Sequence, residues 1–473
     1  MTAIKICRIF DIHTARLCGD LGVEFVGLHA ITRLTKVKSE IYRNISNELK
    51  AFYPKTSPVL VTKIKKQDQL VEMVKITGIN VLQLHYPLTS HVLSSIRDVF
   101  KKSLGYIPII FSVVAADDVN SRNVIKEIKK LCDYILIDAS YRGGTGIKVL
   151  PETLFSFLEE AHPTKCFIAG GLDSYNVRNI INDFHPYGID AQSSLEFTEI
   201  PRYKDPKLLI KFTSTVREEV NSHIDDYYVT GNVIQRKLVS LALTSIPNNI
   251  IVPTLDKFYS TDIDLYHLDF SDKSVAPHFE AFPYNALSQA SQITPCIPYD
   301  VHLFIRSVSK QESILHKCIS YNPLLRLALF QFDQGETQIE PLLSAWIKLA
   351  DKMRIHIGIA LQATKLNPVN LKHILVTMSK YPIKEVSLIT RSSAHSLAEV
   401  KQNDLALLME ISHFLKNIDH PIHISVDRDM NFKKLKILSL GNPTHVVVGA
   451  NLLMAKQPQR MITQLRQLLA TSM

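Results

Sequence analysis

No apolar run in this 473-residue chain approaches the ~18 residues that a helix needs to cross a bilayer, so nothing in the pattern asks for a membrane. The opening MTAIKICRIFDIH is too short and too interrupted by charge to serve as the apolar core of a signal peptide. The six cysteines, Cys7, Cys18, Cys132, Cys166, Cys296 and Cys318, form no CxxC pair, which argues for reduced thiols in a cytoplasmic protein rather than a disulfide framework. Zinc-finger spacing, RNP-like aromatic motifs and low-complexity stretches are absent as well, so neither nucleic-acid recognition nor disorder is the theme.

What is present is an ordinary globular composition, 46% hydrophobic and 21% charged, at about three times the usual domain length of roughly 150 residues. The formal net charge of +9 is scattered rather than gathered in basic runs. That distribution favours phosphorylated small molecules as partners over nucleic acid. It sets no oligomeric state.

Short β-branched runs alternate with longer amphipathic stretches, the pattern of parallel strands joined by crossover helices. In the first half the runs IKICRIF, EFVGLHA, PVLVTKI, INVLQLH, IPIIFSVV, YILIDAS, KCFIAGG and GIDAQSS predict eight strands. A second round follows, with NIIVPTL, DLYHLDF, YDVHLFI, LRLALFQF, IHIGIAL, EVSLITR, IHISVD and THVVVGA. Two sets of eight predict an α/β protein of two tandem (β/α)8 TIM barrels, over residues 1–217 and 248–473, with a helical connector at 218–247.

Such barrels carry their working groups at the C-terminal ends of strands. Cys7 ends the first predicted strand and Asp138 the sixth, and an aspartate closing YILID is costly to bury without partners. Glycine turns follow: GGTG at Gly143 to Gly146 after Arg142, and AGGL after the seventh strand. Together with the last strand's end at Gln192, Ser193 and Ser194, they suit a loop that offers backbone N–H groups to a phosphate.

KICRI, LQLH, DYILIDAS with GGTG, AGGLDSYNV and GIDAQSSLE with the later Lys204–Asp205 pair resemble phosphoribosylanthranilate isomerase, in that family's order and over residues 1 to 217. The resemblance implies a cofactor-free Amadori rearrangement in tryptophan biosynthesis, with Asp138 as general acid and Cys7 as general base. It also implies that Gly144, Gly170, Gly171, Ser193 and Ser194 hold the substrate and its phosphate, and that Arg33 lies near the anthranilate carboxylate. Arg8, Tyr86 and Ser194 stand where the family carries glycine.

In the second half, His267 and Asp269 are two apart on one predicted strand and therefore share a face. With His302 and Asp427 at other strand ends they form a set of two imidazoles and two carboxylates suited to one divalent metal, zinc, iron or manganese. The set resembles ribulose-phosphate 3-epimerase, with Thr254 in PTL at that family's serine and GIAL at its fifth-strand motif. That resemblance implies a metal-dependent pentulose-phosphate 3-epimerase in which Asp269 and Asp427 exchange protons on opposite faces of a sugar carbon. Lys273 and the Arg428–Asp429 pair stand where the family has glycine, so a non-catalytic scaffold barrel is the competing expectation.

Overall fold

The computed structural model describes residues 2–32, 34–86, 88–114, 119–138, 151–198, 203–217, 237–246, 251–259, 261–272, 283–332, 339–392, 395–418 and 421–470. The chain divides into two compact units, Met1–Ser222 and His223–Met473.

In the first unit the eight predicted strands form as β1 (Ala3–Ile6), β2 (Phe25–Ala30), β3 (Ser57–Thr62), β4 (Val81–Leu84), β5 (Ile109–Val114), β6 (Tyr134–Asp138), β7 (Lys165–Ala169) and β8 (Gly188–Ala191). They pair in chain order, all parallel, and β8 returns to β1 with Ala3 opposite Gly188 and Ile6 opposite Ala191, closing the ring. Residues of β1, β3 and β4 are buried on both faces, one against the helices and one inside the barrel. This explains why these strands read as continuous apolar runs rather than alternating ones. Phe25, Tyr134, Phe167 and Tyr187 meet at ring distances of 5.3 to 5.8 Å inside the lower barrel. They plug its floor and leave the upper rim for chemistry.

The second unit closes in the same way from β9 (Leu238–Ala242), β10 (Leu265–Ser271), β11 (Tyr299–Phe304), β12 (Leu325–Phe332), β13 (His356–Gln362), β14 (Glu385–Ile389), β15 (His423–Asp427) and β16 (His445–Val448). Its first strand differs from expectation. NIIVPTL contributes to a helix, Ile251–Tyr259, whose buried Ile251, Leu255 and Phe258 follow a helical spacing that becomes visible only when the run is extended to Phe258. The strand lies earlier, in LVSLA, within the stretch expected to be a helical connector. All five of its residues are buried, because the barrel interior and the helical layer cover opposite faces. Thr254 accordingly sits on a helix rather than at a strand end.

Inside this barrel a polar plug replaces the aromatic one. Buried Arg326 donates from Nε to Asp300 Oδ1 at 2.7 Å and from NH2 to Glu385 Oε2 at 2.7 Å. Glu385 Oε1 meets His445 Nδ1 at 3.0 Å, and His445 Nε2 meets Ser240 Oγ at 2.6 Å. Burial alone would raise the Glu385 carboxyl, but Arg326 and His445 hold it well below the usual carboxylate range.

Candidate active site and candidate metal centre

Cys7 directly follows β1, its N–H bonded to Ala191 O at 3.0 Å. Lys5 shares the inward face of the strand, and its Nζ donates to Cys7 Sγ at 2.8 Å and to Asp190 Oδ2, on β8, at 2.9 Å. Burial and the neighbouring Asp190 push the thiol up to about 11, with the Lys5 ammonium pulling the other way. Burial opposes the Lys5 charge, yet Asp190 and Cys7 outweigh it and raise its basicity.

Gly27 on β2 explains how the sulfur fits. A Cβ there would lie 2.6 Å from Cys7 Sγ and 3.2 Å from Cys7 Cα. Gly27→Ala is expected to displace the thiol from its place beside Lys5 while the far-ultraviolet circular dichroism stays unchanged, which a carbon NMR spectrum of the Cys7 Cβ beside that spectrum would check.

Asp138 closes β6, three strands around the ring from β1, and is 7% exposed. Gly170 and Gly171 follow β7 with φ of 105° and 65°, a backbone region that side chains disfavour, so the turn requires glycine. Ser193 and Ser194 begin a short 3-10 turn after β8, and the Ser194 hydroxyl donates to Leu172 O, tying the last two loops together. Arg33, Gly144 and the rest of the Arg142–Gly146 segment lie outside the described residues.

The Lys204–Asp205 pair acquires a local role. Lys204 Nζ donates to Gln192 O at 2.7 Å and to Glu196 at 3.0 Å, while Arg8, at φ 62°, reaches the other oxygen of Glu196 at 3.2 Å. One carboxylate thus holds two cations against the loop after β8. Lys5 and Asp190 were missed from the sequence. A lysine two positions before Cys7 in IKIC and an aspartate inside GIDAQ, both charged residues within apolar strands, were the available signals.

In the second barrel His267, Asp269, His302 and Asp427 come together at the strand ends, with donor atoms all within 4.8 Å of one another. Asp269 and His302 are direct register partners on β10 and β11. His267 Nε2 lies 3.4 Å from Asp269 Oδ1 and 3.8 Å from Asp427 Oδ2, and His302 Nδ1 lies 3.2 Å from Asp269 Oδ1, but none of these nitrogens has the alignment of a hydrogen bond.

Outward-facing atoms of three of the four residues are held elsewhere, while His267 Nδ1 is buried without a hydrogen bond. Thr244, just after β9, donates to Asp269 Oδ2 at 2.8 Å, His302 Nε2 meets Gln331 Oε1 at 3.1 Å, and the Arg428 N–H donates to Asp427 Oδ1 at 2.5 Å. Thr244 therefore occupies the strand-end place expected for Thr254. It was missed because its strand was missed.

Burial lowers the basicity of His267, but Asp269 and Asp427 outweigh it and raise the imidazole to about 9. Burial alone would raise Asp269, yet His267 and His302 hold it far below the carboxylate range; burial raises Asp427. A buried and a partly exposed carboxylate facing two buried imidazoles call for positive charge between them. The mixed N and O donor set fits zinc, iron or manganese. A second cluster, Asp300, Glu385 and His445, already receives its positive charge from Arg326.

Acid–base groups on the C-terminal rim of a closed parallel ring define a (β/α)8-barrel enzyme. A family model described as N-(5'phosphoribosyl)anthranilate (PRA) isomerase matches residues 6–215. N-(5'-phosphoribosyl)anthranilate isomerase of Leptospira borgpetersenii serovar Hardjo-bovis is 30% identical over 226 residues, covering 46% of this chain and 95% of the relative. The enzyme of the same name from Acetivibrio thermocellus is 28% identical over 225 residues, 46% and 97% of the two chains. A crystal structure of phosphoribosyl anthranilate isomerase from Thermotoga maritima is 20% identical with a TM-score of 0.39, covering 46% of this chain and all of the other. The chain belongs to the N-(5'-phosphoribosyl)anthranilate isomerase family.

Proposed function

We propose that the first barrel converts N-(5'-phosphoribosyl)anthranilate to 1-(2-carboxyphenylamino)-1-deoxyribulose 5-phosphate, the aldose–ketose isomerisation of tryptophan biosynthesis, without a cofactor and in the cytoplasm. The observation that carries this reading is the placement of Cys7 and Asp138 at strand ends of one closed barrel in a chain of this family. Asp138 protonates the ribose ring oxygen, so the ring opens to a protonated Schiff base. The Cys7 thiolate then removes the C2 proton; the C2–H electron pair forms C1=C2, and the C1=N pair moves onto nitrogen. The enolamine tautomerises to the ketone. Gly170 and Gly171 would receive the phosphate through backbone N–H groups beside Ser193 and Ser194, with Gly144 completing that loop and Arg33 taking the anthranilate carboxylate as the family resemblance implies. The anthranilate fluorophore makes the test direct: purified protein should extinguish substrate fluorescence, and no decay with authentic substrate would end this reading.

A second reading concerns the other barrel, supported by four donor atoms within 4.8 Å of one another, of which the His267 and His302 nitrogens are buried without hydrogen-bond partners. His267, Asp269, His302 and Asp427 would hold a divalent cation, whose contribution when bound is Lewis-acid polarisation of a sugar-phosphate carbonyl. Asp269 and Asp427 would move protons on opposite sides of the sugar carbon, making the chain bifunctional. Metal analysis of the natively purified chain should find about one divalent ion, and a His267→Ala, His302→Ala double variant should lose it. Gln331→Leu, which frees the far nitrogen of His302, should weaken metal affinity by about 10- to 100-fold. A metal-free wild type would instead favour the scaffold reading.

A further inference from the structure

Lys5 is a fully buried ammonium that, among the described residues, hydrogen-bonds to Cys7 and to Asp190. An ammonium taken out of water is retained only where paired charge holds it. Here the pairing is lopsided: Asp190 Oδ1 is buried without a hydrogen bond, so the carboxylate presents its charge to Lys5 and, beyond it, to the sulfur.

We propose that Lys5, clamped by Asp190, is the positioning residue that controls how readily Cys7 gives up its proton, with Lys5 favouring the thiolate and Asp190 restraining it. This deepens the isomerase reading, in which Cys7 acts as base. Lys5 sits between two groups that are both anionic once Cys7 is ionised. Its ammonium stabilises the sulfur, while the aspartate that fixes the ammonium repels the same sulfur. The two residues therefore act in opposite directions although both belong to one hydrogen-bonded chain.

Among the described residues, other groups also bear on the thiol. Lys204, from the segment after β8, favours ionisation. From β2 the sulfur meets Gly27, which brings no charge, and His29 stands two residues further along that strand, itself kept neutral by burial and by Lys5, Arg8, His85 and Lys204. During proton abstraction the C2 proton ends on Sγ, while Lys5 keeps its proton and Asp190 stays ionised, so charge is conserved without a further partner.

The test is a carbon NMR titration of the Cys7 Cβ in the full chain, assigned by its loss in Cys7→Ser, together with the pH profile of kcat/KM. In the wild type the thiol, pushed up by burial and Asp190 to about 11, should titrate in that range. Asp190→Asn should move this midpoint down by about one to three pH units, and Lys5→Met should move it up. The acid limb of kcat/KM should follow each change, because the thiolate is the active form. Lys5→Arg, which keeps the charge, should stay close to the wild type, and with Asp190→Asn it preserves the test if Lys5→Met does not fold. A purely structural pair would shift both variants the same way or neither, and either result would overturn the proposal. Opposite shifts in a protein inert toward the phosphoribosyl substrate would overturn the isomerase reading alone, since the titration requires no turnover.

Discussion

Cys7→Ala and Asp138→Ala are each expected to slow the fluorescence decay of N-(5'-phosphoribosyl)anthranilate by about a hundredfold to ten-thousandfold while leaving the protein folded. That range is what a positioned acid or base contributes when the same group is otherwise supplied by water. Both side chains are small and buried at the rim, 3% and 7% exposed, so truncation removes little packing. The two substitutions should also be less than additive. Once ring opening is slow, losing the base has less left to retard, and the double variant should sit close to the slower single one. Steady-state rates of the three variants decide this. Loss of only a few-fold in either single variant would remove that residue from the chemistry and with it the assignment of acid and base.

Arg326→Met is expected to cost about 3–5 kcal/mol, the largest stability effect among the substitutions considered. The reason is what it leaves behind. Asp300 and Glu385 are both fully buried, and both accept from that one guanidinium, Glu385 with a further hydrogen bond to His445. Without it two buried carboxylates are left with imidazoles alone for partners, His445 hydrogen-bonded to Glu385 and His423 nearby. For a unit of this size the loss corresponds to roughly 6–20 °C in the second barrel's transition, with the first barrel's transition unmoved. Differential scanning calorimetry resolves the two. Replacing Arg326, Asp300 and Glu385 together by apolar residues should recover most of the loss, because no unpaired charge remains.

The same network gives acid sensitivity. Glu385 titrates below its unfolded value of 4.5, so its contribution is complete above that pH and fades as the pH falls toward the depressed folded value. An Arg326→Met protein that melts within a degree of the wild type would mean the carboxylates have found other partners.

The legible and illegible parts of this chain separate along physical lines. Strands buried on both faces announce themselves as dense β-branched runs, and YILID, EVSLI and THVVV needed nothing further. LVSLA was harder. Preceded by QRK and followed by LT, its apolar residues fit a helical wheel as well as a strand, and only closure of the ring against β10 and β16 decides between them. The metal-type cluster was readable because His267 and Asp269 share a strand and strand alternation puts them on one face. Lys5 with Asp190 was not, because the contact joins residues 185 apart and appears only once β8 lies beside β1. Thr244 went unread for the same reason as its strand. Where a pairing depends on which strand ends up next to which, local pattern carries no signal for it.

Arg428 and Asp429 follow the Asp427 strand end with φ of 80° and 53°, a pair of side-chain-bearing residues held where glycine is at ease. Conformations of this kind cost on the order of 1–3 kcal/mol each and persist only when the surroundings enforce them. Lys434 is one such constraint: its buried Nζ bonds to the carbonyls of Arg391 and Arg428, at 2.6 and 2.7 Å, and stitches two neighbouring rim loops together. The rim of the second barrel is consequently a loaded spring, with Thr390, which donates to the Asp427 and Arg428 carbonyls, as a further catch, and trimming that lysine should let the loop relax part-way, spreading the carboxylate of Asp427 away from its three companions.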